Sequence, residues 1–240
     1  MPPVPDLTPV NDGFPDPRQA MDEPNGLLAV GGDLSPARLI SAYRQGIFPW
    51  FNEGDPIIWW APTPRAVFFP DKVKPSRSLI KLAKKYPWRV SVNQAFDQVI
   101  SHCAAPRANE PDTWINSQMI EAYQSLHRIG KAHSVEIWLN EKLVGGLYGV
   151  CVGKVFCGES MFHTVSGASK LAFWQASRLF SHCGIELIDA QLENSHLMSL
   201  GAELMDREAF LESLEQWRDD ELNPQIWQAR WLEFQESPYN

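Results

Sequence analysis

The residues that decide the fold are 144–191, which read VGGLYGVCVGKVFCGESMFHTVSGASKLAFWQASRLFSHCGIELIDAQ. Residues 143–152 and 155–162 predict two strands joined by a turn at Gly153 and Lys154. Residues 166–182 predict a long helix that ends near Gly184, and residues 186–190 predict a third strand. A strand-strand-helix-strand unit of this kind can bring distant polar side chains to one point.

The rest of the chain extends this unit in both directions. Strands are predicted at 65–69, 88–92 and 133–139, and helices at 76–86, 93–103, 117–129, 194–200 and 207–217. Ser35 is the expected cap of an N-terminal helix that Gly46 stops, and Asn93 is the expected cap of the helix that reaches Cys103. The Pro-rich connection at 56–64 predicts a boundary between a small domain, residues 1–62, and a larger one, residues 63–240.

These elements predict an α+β protein: a small N-terminal α/β domain followed by a domain with a mixed, mostly antiparallel sheet. The strand-strand-helix-strand order resembles the core of GNAT-like acyltransferases, in which a splayed sheet opens a channel for an activated acyl group. Three glycines inside one predicted strand, Gly145, Gly146 and Gly149, indicate that another backbone or a substrate approaches closely there. Fold resemblance alone does not assign a function.

Composition excludes several classes of protein. No apolar run approaches the roughly 18 to 20 residues of a spanning helix, and the Pro-rich first 17 residues lack the pattern of a secretory signal, so we expect a cytoplasmic protein with no membrane partner. The four cysteines lack CxxC spacing and are expected to be free thiols, with no metal site. Because no dinucleotide fingerprint, Walker loop or HExxH motif occurs, we expect no cofactor.

Positive charge is concentrated in one short stretch. The chain carries a net charge of -8, yet residues 72–89 hold seven basic residues and no acidic one. A solvated helix face is the ordinary interpretation of such a stretch, but in an acidic chain it is also the favoured binding site for a polyanion. The basic residues before position 86 are Lys72, Lys74, Arg77, Lys81, Lys84 and Lys85.

Three polar residues of the central unit are candidates for catalysis. Asp189 and Gln191 are two apart on a predicted strand and therefore project from one face, where the carboxylate can accept from the amide NH2 and leave the amide carbonyl free. Glu159, beside Gly158, is the third candidate. Ser160 is not expected to be a nucleophile, because its strand position and the missing second glycine do not fit a nucleophile elbow. Solvated polar strand residues are the alternative for all three.

Several multi-residue motifs carry a more specific resemblance. The chain resembles bacterial leucyl/phenylalanyl-tRNA--protein transferases, in order and at consistent spacing, from about Phe14 to Trp231. The motifs are EPNGLLAVGGDL at 23–34, YRQGIFPWF at 43–51, TWI at 113–115, FCGESMF at 156–162 and DAQ at 189–191.

The resemblance implies an enzyme that moves Leu or Phe, and less well Met, from its tRNA to the N-terminal Arg or Lys of a protein, which marks that protein for degradation. It also implies a small N-terminal domain followed by a GNAT-like one. Because an aminoacyl ester is already activated, we expect no cofactor. From the charge distribution we expect aminoacyl-tRNA to bind the six basic residues, and we expect a monomer. Gln191 and Asp189 are then the positioning pair, and Glu159 either anchors the cationic acceptor residue or supports Gln191. The implied amino-acid and adenosine pocket comprises Tyr43, Trp50, Trp114, Met161, Phe173 and Leu147.

Two departures from the family pattern bear on donor preference. Members often have Met where Leu147 stands and Cys where Ala190 stands. Competing functions are a CoA-dependent GNAT acetyltransferase, for which the pyrophosphate-binding loop motif is missing, a tRNA-binding module without catalysis, and an aminoacyl-tRNA transferase that builds cell-wall peptides. The last of these shares the fold but is expected to prefer Ser, Ala or Gly as the donor amino acid.

Overall fold

The computed structural model describes residues 4–7, 13–105 and 115–237 of the chain. Trp114, one of the expected pocket residues, lies outside the described residues. Within them, a small sheet near the N-terminus has the order β1-β3-β2, with both pairs antiparallel. Its strands and the helix between them are β1 (Leu27–Val30), α1 (Pro36–Tyr43), β2 (Phe48–Pro49) and β3 (Ile58–Trp60).

The start of α1 follows the local chemistry of its sequence. Ser35 precedes the helix and its hydroxyl accepts a hydrogen bond from the Arg38 N–H, while Pro36 occupies the first helical position. The helix ends at Tyr43, and Gly46 then takes a φ of 74° that favours glycine. This confirms the predicted cap and stop.

A large sheet forms the centre of the molecule. Within the described residues it has eight strands in the order β10-β4-β9-β8-β7-β6-β5-β11. The strands are β4 (Arg65–Phe68), β5 (Arg89–Val92), β6 (Ala132–Leu139), β7 (Lys142–Val152), β8 (Val155–His163), β9 (Leu187–Gln191), β10 (Glu203–Met205) and β11 (Arg230–Leu232). Of these neighbours, β8 and β9 are parallel and the other pairs are antiparallel, which confirms the predicted fold class.

Helices cover both faces of this sheet. They are α2 (Arg77–Ala83), α3 (Phe96–Ala104), α4 (Ser117–Arg128), α5 (Ala168–Cys183), α6 (Ser195–Ser199) and α7 (Arg207–Trp217). One apolar cluster joins α3, α4 and α7 to the N-terminal sheet and α1, and a second joins α2 and α5. The first cluster contains residues from both sides of position 62, so the two predicted domains share a core, and their boundary stays a prediction. None of the helices in the described ranges is long and apolar enough to cross a membrane.

Close packing explains the glycines of β7. A Cβ on Gly145 would lie 2.8 Å from the backbone carbonyl carbon of Ala168, and a Cβ on Gly149 would lie 2.2 Å from the carbonyl oxygen of Cys157. Real Cβ atoms do not approach so closely, so the prediction of a close backbone approach is confirmed at these positions.

The predicted cap of α3 is wrong. Ala95 precedes the helix, which has no side-chain cap, and Asn93 has a φ of 53°. The Asn93 side chain instead accepts a hydrogen bond from the Ser134 N–H at 2.8 Å and donates to the Trp227 carbonyl oxygen at 2.7 Å. The Asn93 side chain, which the local sequence predicts as a helix cap, therefore makes tertiary hydrogen bonds instead.

Candidate active site

The site lies where two parallel strands separate. The β8 and β9 strands pair at three positions, the last of which joins Cys157 to Asp189. Beyond it, β8 continues to His163 and pairs with β7 alone, while β9 ends at Gln191. A cavity of about 1080 Å³ opens at this point. Both strand ends line it, so polar side chains that follow the last shared pair meet at one wall.

Most of the expected pocket residues line this cavity. Leu147, Met161, Phe173 and Trp50 are at its wall, together with Glu159 and Gln191. Trp50 is 42% exposed, which leaves an aromatic surface available at the opening.

Two of the expected site residues are not at the cavity wall. The prediction that Tyr43 lines the pocket is wrong: it is 2% exposed and absent from the cavity wall, and its hydroxyl donates to the Glu159 carboxylate in the core. Asp189 is 1% exposed and is likewise covered.

Three donors surround the Glu159 carboxylate. Its Oε1 atom accepts from the Tyr43 hydroxyl at 2.7 Å and from the Gln191 side-chain Nε2 at 2.8 Å. Its Oε2 atom accepts from the Tyr123 hydroxyl at 2.9 Å, and the two tyrosine hydroxyls also contact each other. Both carboxylate oxygens are thus occupied, and Gln191 is the one of these donors that reaches the cavity wall.

Burial sets the protonation of this cluster. Removal from water raises the pKa of Glu159 to about 7, against the opposing hydrogen bonds from Tyr43 and Tyr123; the nearby Asp189 charge raises it further. Burial also raises the pKa of Tyr43 and Tyr123 well above 10, with the Glu159 charge adding to the effect. The two hydroxyls therefore remain proton donors at neutral pH.

The predicted hydrogen bond from the Gln191 side-chain amide to Asp189 is wrong. Asp189 Oδ1 accepts instead from the Gln191 backbone N–H at 2.9 Å. Gln191 has a φ of 64°, which lies in the left-handed region, so the strand alternation that would place both side chains on one face does not apply. The side-chain amide turns toward Glu159 instead.

This arrangement orients the Gln191 amide. Because Glu159 accepts from the NH2 end, the carbonyl end is directed away from the carboxylate, and the amide oxygen has no hydrogen-bond partner among the described residues. Gln191 is half-buried at the cavity wall. Its carbonyl can therefore accept a hydrogen bond from a group that enters the cavity.

Arg65 and Tyr123 are site residues that the sequence did not reveal. Arg65 binds Asp189 through two hydrogen bonds of 2.8 Å, although it stands in a strand that reads as apolar core. Tyr123 belongs to the apolar stripe of α4, a pattern that predicts core. A signal existed for Tyr123, since a buried tyrosine hydroxyl usually has a polar partner. For Arg65 the signal was a charged residue at the start of a predicted strand that is otherwise apolar.

The expected basic residues form an exposed surface beside the cavity. All six, Lys72, Lys74, Arg77, Lys81, Lys84 and Lys85, are exposed. The apolar side of α2 packs on α5: a Cβ on Gly167 would lie 2.4 Å from Leu82 Cδ2, and Gly167 and Lys170 line the cavity. The basic surface thus adjoins the wall formed by the start of α5. Among the residues that the structure describes, no group of three or more His, Cys, Asp or Glu side chains is placed to hold a metal ion.

Comparison with known proteins identifies the family. The family model described as "Leucyl/phenylalanyl-tRNA protein transferase" matches residues 67–215. The chain belongs to this family. The model described as "Leucyl/phenylalanyl-tRNA protein transferase N-terminal domain" matches residues 32–63. The resemblance found in the sequence motifs is therefore confirmed.

Relatives in this family match over nearly their whole length. A protein named leucyl/phenylalanyl-tRNA--protein transferase from Shewanella piezotolerans is 55% identical, over 89% of this chain and 91% of its own. One of the same name from Idiomarina loihiensis is 54% identical, over 94% and 96%. Among solved structures, one titled "Crystal structure of FemX" is similar at 12% identity with a TM-score of 0.45, over 75% of this chain and 70% of that one.

Proposed function

We propose that this chain transfers Leu or Phe from aminoacyl-tRNA to the N-terminal Arg or Lys of an acceptor protein. Membership of the leucyl/phenylalanyl-tRNA protein transferase family supports the reaction class. The observation that carries the proposal is the Gln191 amide, whose NH2 end is held by Glu159 and whose carbonyl end is left for a ligand at the cavity wall.

The chemistry is aminolysis of an ester. The α-amino nitrogen of the acceptor attacks the ester carbonyl carbon, a C–N bond forms, and the bond from that carbon to the terminal ribose oxygen breaks. The nitrogen loses one proton and the leaving ribose oxygen gains one. Because the ester is already activated, the step requires neither ATP nor an activating metal.

Gln191 acts by holding the nucleophile. An α-amine has a reference pKa of about 7.7 to 8.0, so roughly a tenth of it is neutral at pH 7. A side-chain amide does not titrate in this range, but its carbonyl can accept from the N–H of the attacking amine and aim the nitrogen lone pair at the ester. Both oxygens of Glu159 are already occupied by three donors, which favours support of Gln191 over anchoring of the acceptor's cation.

The donor amino acid fits the apolar part of the cavity. Leu147, Met161 and Phe173 are apolar wall residues, so they favour Leu, Phe and the similarly shaped Met over charged side chains, whose unpaired burial is costly. Trp50 is exposed enough to stack on the terminal adenosine, a contact worth about 1 to 3 kcal/mol per base. Met is accordingly proposed as a third, weaker donor.

One copy of the chain supplies the whole proposed site. Glu159 and Gln191 are held by Tyr43, Tyr123 and Asp189 of the same chain, so the proposed site needs no second copy and we propose a monomer. The need for aminoacyl-tRNA supports a cytoplasmic location. Sedimentation of the protein alone and with tRNA measures the oligomeric state.

A transfer assay tests the function. Purified protein and Phe-tRNA labelled in the amino acid should label a peptide that begins with Arg, but not the same peptide beginning with Gly. Ribonuclease treatment of the donor should remove the labelling. Labelling that ignores the first residue, or survives ribonuclease, would contradict the proposal.

The basic surface around α2 leads to a separate prediction. Changing Lys81, Lys84 and Lys85 together to Ala should raise the Kd for tRNA, because lysines that bind phosphates release counterions. The slope of log Kd against log salt should fall by roughly 2 to 3, about one for each lysine that no longer neutralises a phosphate. A filter-binding titration over a salt series measures both quantities.

A matched triple variant controls for net charge. Arg128, Lys131 and Lys142 are also exposed and lie at the end of α4, between α4 and β6, and at the start of β7, so changing them to Ala removes the same charge elsewhere. This control should keep the original slope. An equal decrease of the slope in both triple variants would mean that the surface around α2 is not the specific site of tRNA binding.

A further inference from the structure

A buried ion pair stands behind the proposed nucleophile-binding group. Arg65 and Asp189 are 2% and 1% exposed, and Arg65 Nε and Nη2 donate to the two carboxylate oxygens at 2.8 Å each. The Arg65 guanidinium also lies over the rings of Phe48 and Phe210, at 5.0 and 4.4 Å. Packing and two parallel hydrogen bonds therefore fix both the position and the plane of the carboxylate.

The Asp189 carboxylate in turn fixes the backbone of Gln191 through a hydrogen bond. Asp189 Oδ1 accepts from both Arg65 Nε and the Gln191 backbone N–H, the latter at 2.9 Å. Gln191 has a φ of 64°, a conformation that a residue with a long side chain rarely adopts unless its surroundings hold it. The pairing of β4 with β9 also shifts register at this point, between Ala66 and Val67. Sheet pairing alone therefore does not hold the backbone of Gln191.

We propose that Arg65 is a positioning residue for the transfer reaction: it locks Asp189, and Asp189 locks the Gln191 backbone in the conformation that presents the side-chain carbonyl to the cavity. The inference rests on the proposed function. It also assigns Asp189 the role of a clamp. Its charge is matched by Arg65 and it is shielded from the cavity, so it is not the acceptor of the substrate's proton.

The test is Arg65→Lys, which keeps the positive charge but cannot make the two parallel hydrogen bonds. We expect kcat to fall about 10- to 100-fold, because a displacement of about 1 Å in a group that orients a reactant has an effect of this size. The KM values for Phe-tRNA and for the Arg peptide should stay within about twofold. Because the residue acts through Gln191, Arg65→Lys should lower the residual single-turnover rate of Gln191→Ala less than twofold.

A spectroscopic measurement separates positioning from plain stability. The ¹H–¹⁵N signals of the Gln191 side-chain NH2 group, assigned by their loss in Gln191→Ala, should shift or broaden in Arg65→Lys. The control is Arg38→Lys, because Arg38 is also a buried arginine beside a carboxylate, that of Asp33 at 3.4 Å. This control should lower the Tm while leaving kcat and the Gln191 signals unchanged.

Outcomes are distinguishable. If Arg65→Lys does not fold, the neutral pair Arg65→Gln with Asp189→Asn replaces it, with the same expected loss of kcat and the same change in the Gln191 signals. Wild-type kcat with unchanged Gln191 signals, or an equal loss of rate in the wild-type and Gln191→Ala backgrounds, overturns the inference alone. A wild-type protein that does not transfer Phe to the Arg peptide overturns the proposed function instead.

Discussion

Changing Gln191 to Ala should lower the rate of transfer by at least about 10²-fold, the range for loss of a positioned group that helps to move a proton. The variant removes the carbonyl that is free to hold the attacking amine, while the basic surface around α2 that we propose binds tRNA remains. The Kd for Phe-tRNA should therefore stay within about twofold. Single-turnover transfer to an Arg peptide and filter binding measure the two quantities on the same preparation.

Gln175 provides the matched control. Its side chain is 4% exposed and makes two hydrogen bonds to the Gln235 backbone, at 2.8 and 3.2 Å, but it does not line the cavity. Gln175→Ala should lower the Tm and leave the transfer rate nearly unchanged. If Gln191→Ala weakens tRNA binding as much as it slows transfer, the cavity wall serves binding and the chain is better described as a tRNA-binding module.

The central fold could be predicted because its signals are local. Residues 143–152, 155–162, 166–182 and 186–190 predict strand, strand, helix and strand, and the structure has β7, β8, α5 and β9 at nearly the same bounds. Side-chain alternation and a turn at Gly153 and Lys154 are properties of neighbouring residues. The placement of Glu159 and Gln191 at one wall follows from this topology.

The bonding inside the site could not be predicted, because it depends on distant partners and on one backbone angle. Arg65 and Asp189 are 124 positions apart, and Tyr43 and Glu159 are 116 apart. The expectation for Asp189 failed because it assumed an extended backbone at Gln191, and nothing local indicates a φ of 64° there. A glycine or asparagine at that position would have given a signal; a glutamine does not.

Changing Glu159 to Gln should remove a large pH dependence of stability. The folded pKa of Glu159 is about 7, above the ordinary value of 4.5, so the folded state holds this proton more tightly than the unfolded state does. Its contribution is fully present below about pH 4.5 and is lost as pH rises through 7. The total change amounts to roughly 3 kcal/mol, at 1.36 kcal/mol for each pKa unit. Chemical denaturation of both proteins between pH 4 and 8 measures the difference.

The pH dependence of the unfolding free energy of Glu159→Gln must be subtracted from that of the wild type. Another buried group changes stability with pH in the opposite direction. Burial lowers the pKa of His133 to about 3, so its contribution to stability is lost as pH falls, and it overlaps the window of Glu159. The groups that face Glu159 are Tyr43, Tyr123 and Asp189, with Tyr148 nearby. The tyrosines stay protonated in this range because burial raises their pKa well above 10. The difference curve therefore reports Glu159.

The same variant should slow transfer, because a neutral amide at position 159 no longer requires the NH2 end of Gln191 to face it. We expect a loss of about 10- to 100-fold, comparable with other losses of orientation. Glu136→Gln is the control: Glu136 is fully buried, its pKa is raised by burial, and its partners Ser91 and Ser134 lie away from the cavity. That control should change the pH dependence of stability but not the rate. A slow Glu136→Gln would mean that loss of any buried carboxylate slows transfer. A wild-type rate in Glu159→Gln would mean that the carboxylate does not orient Gln191.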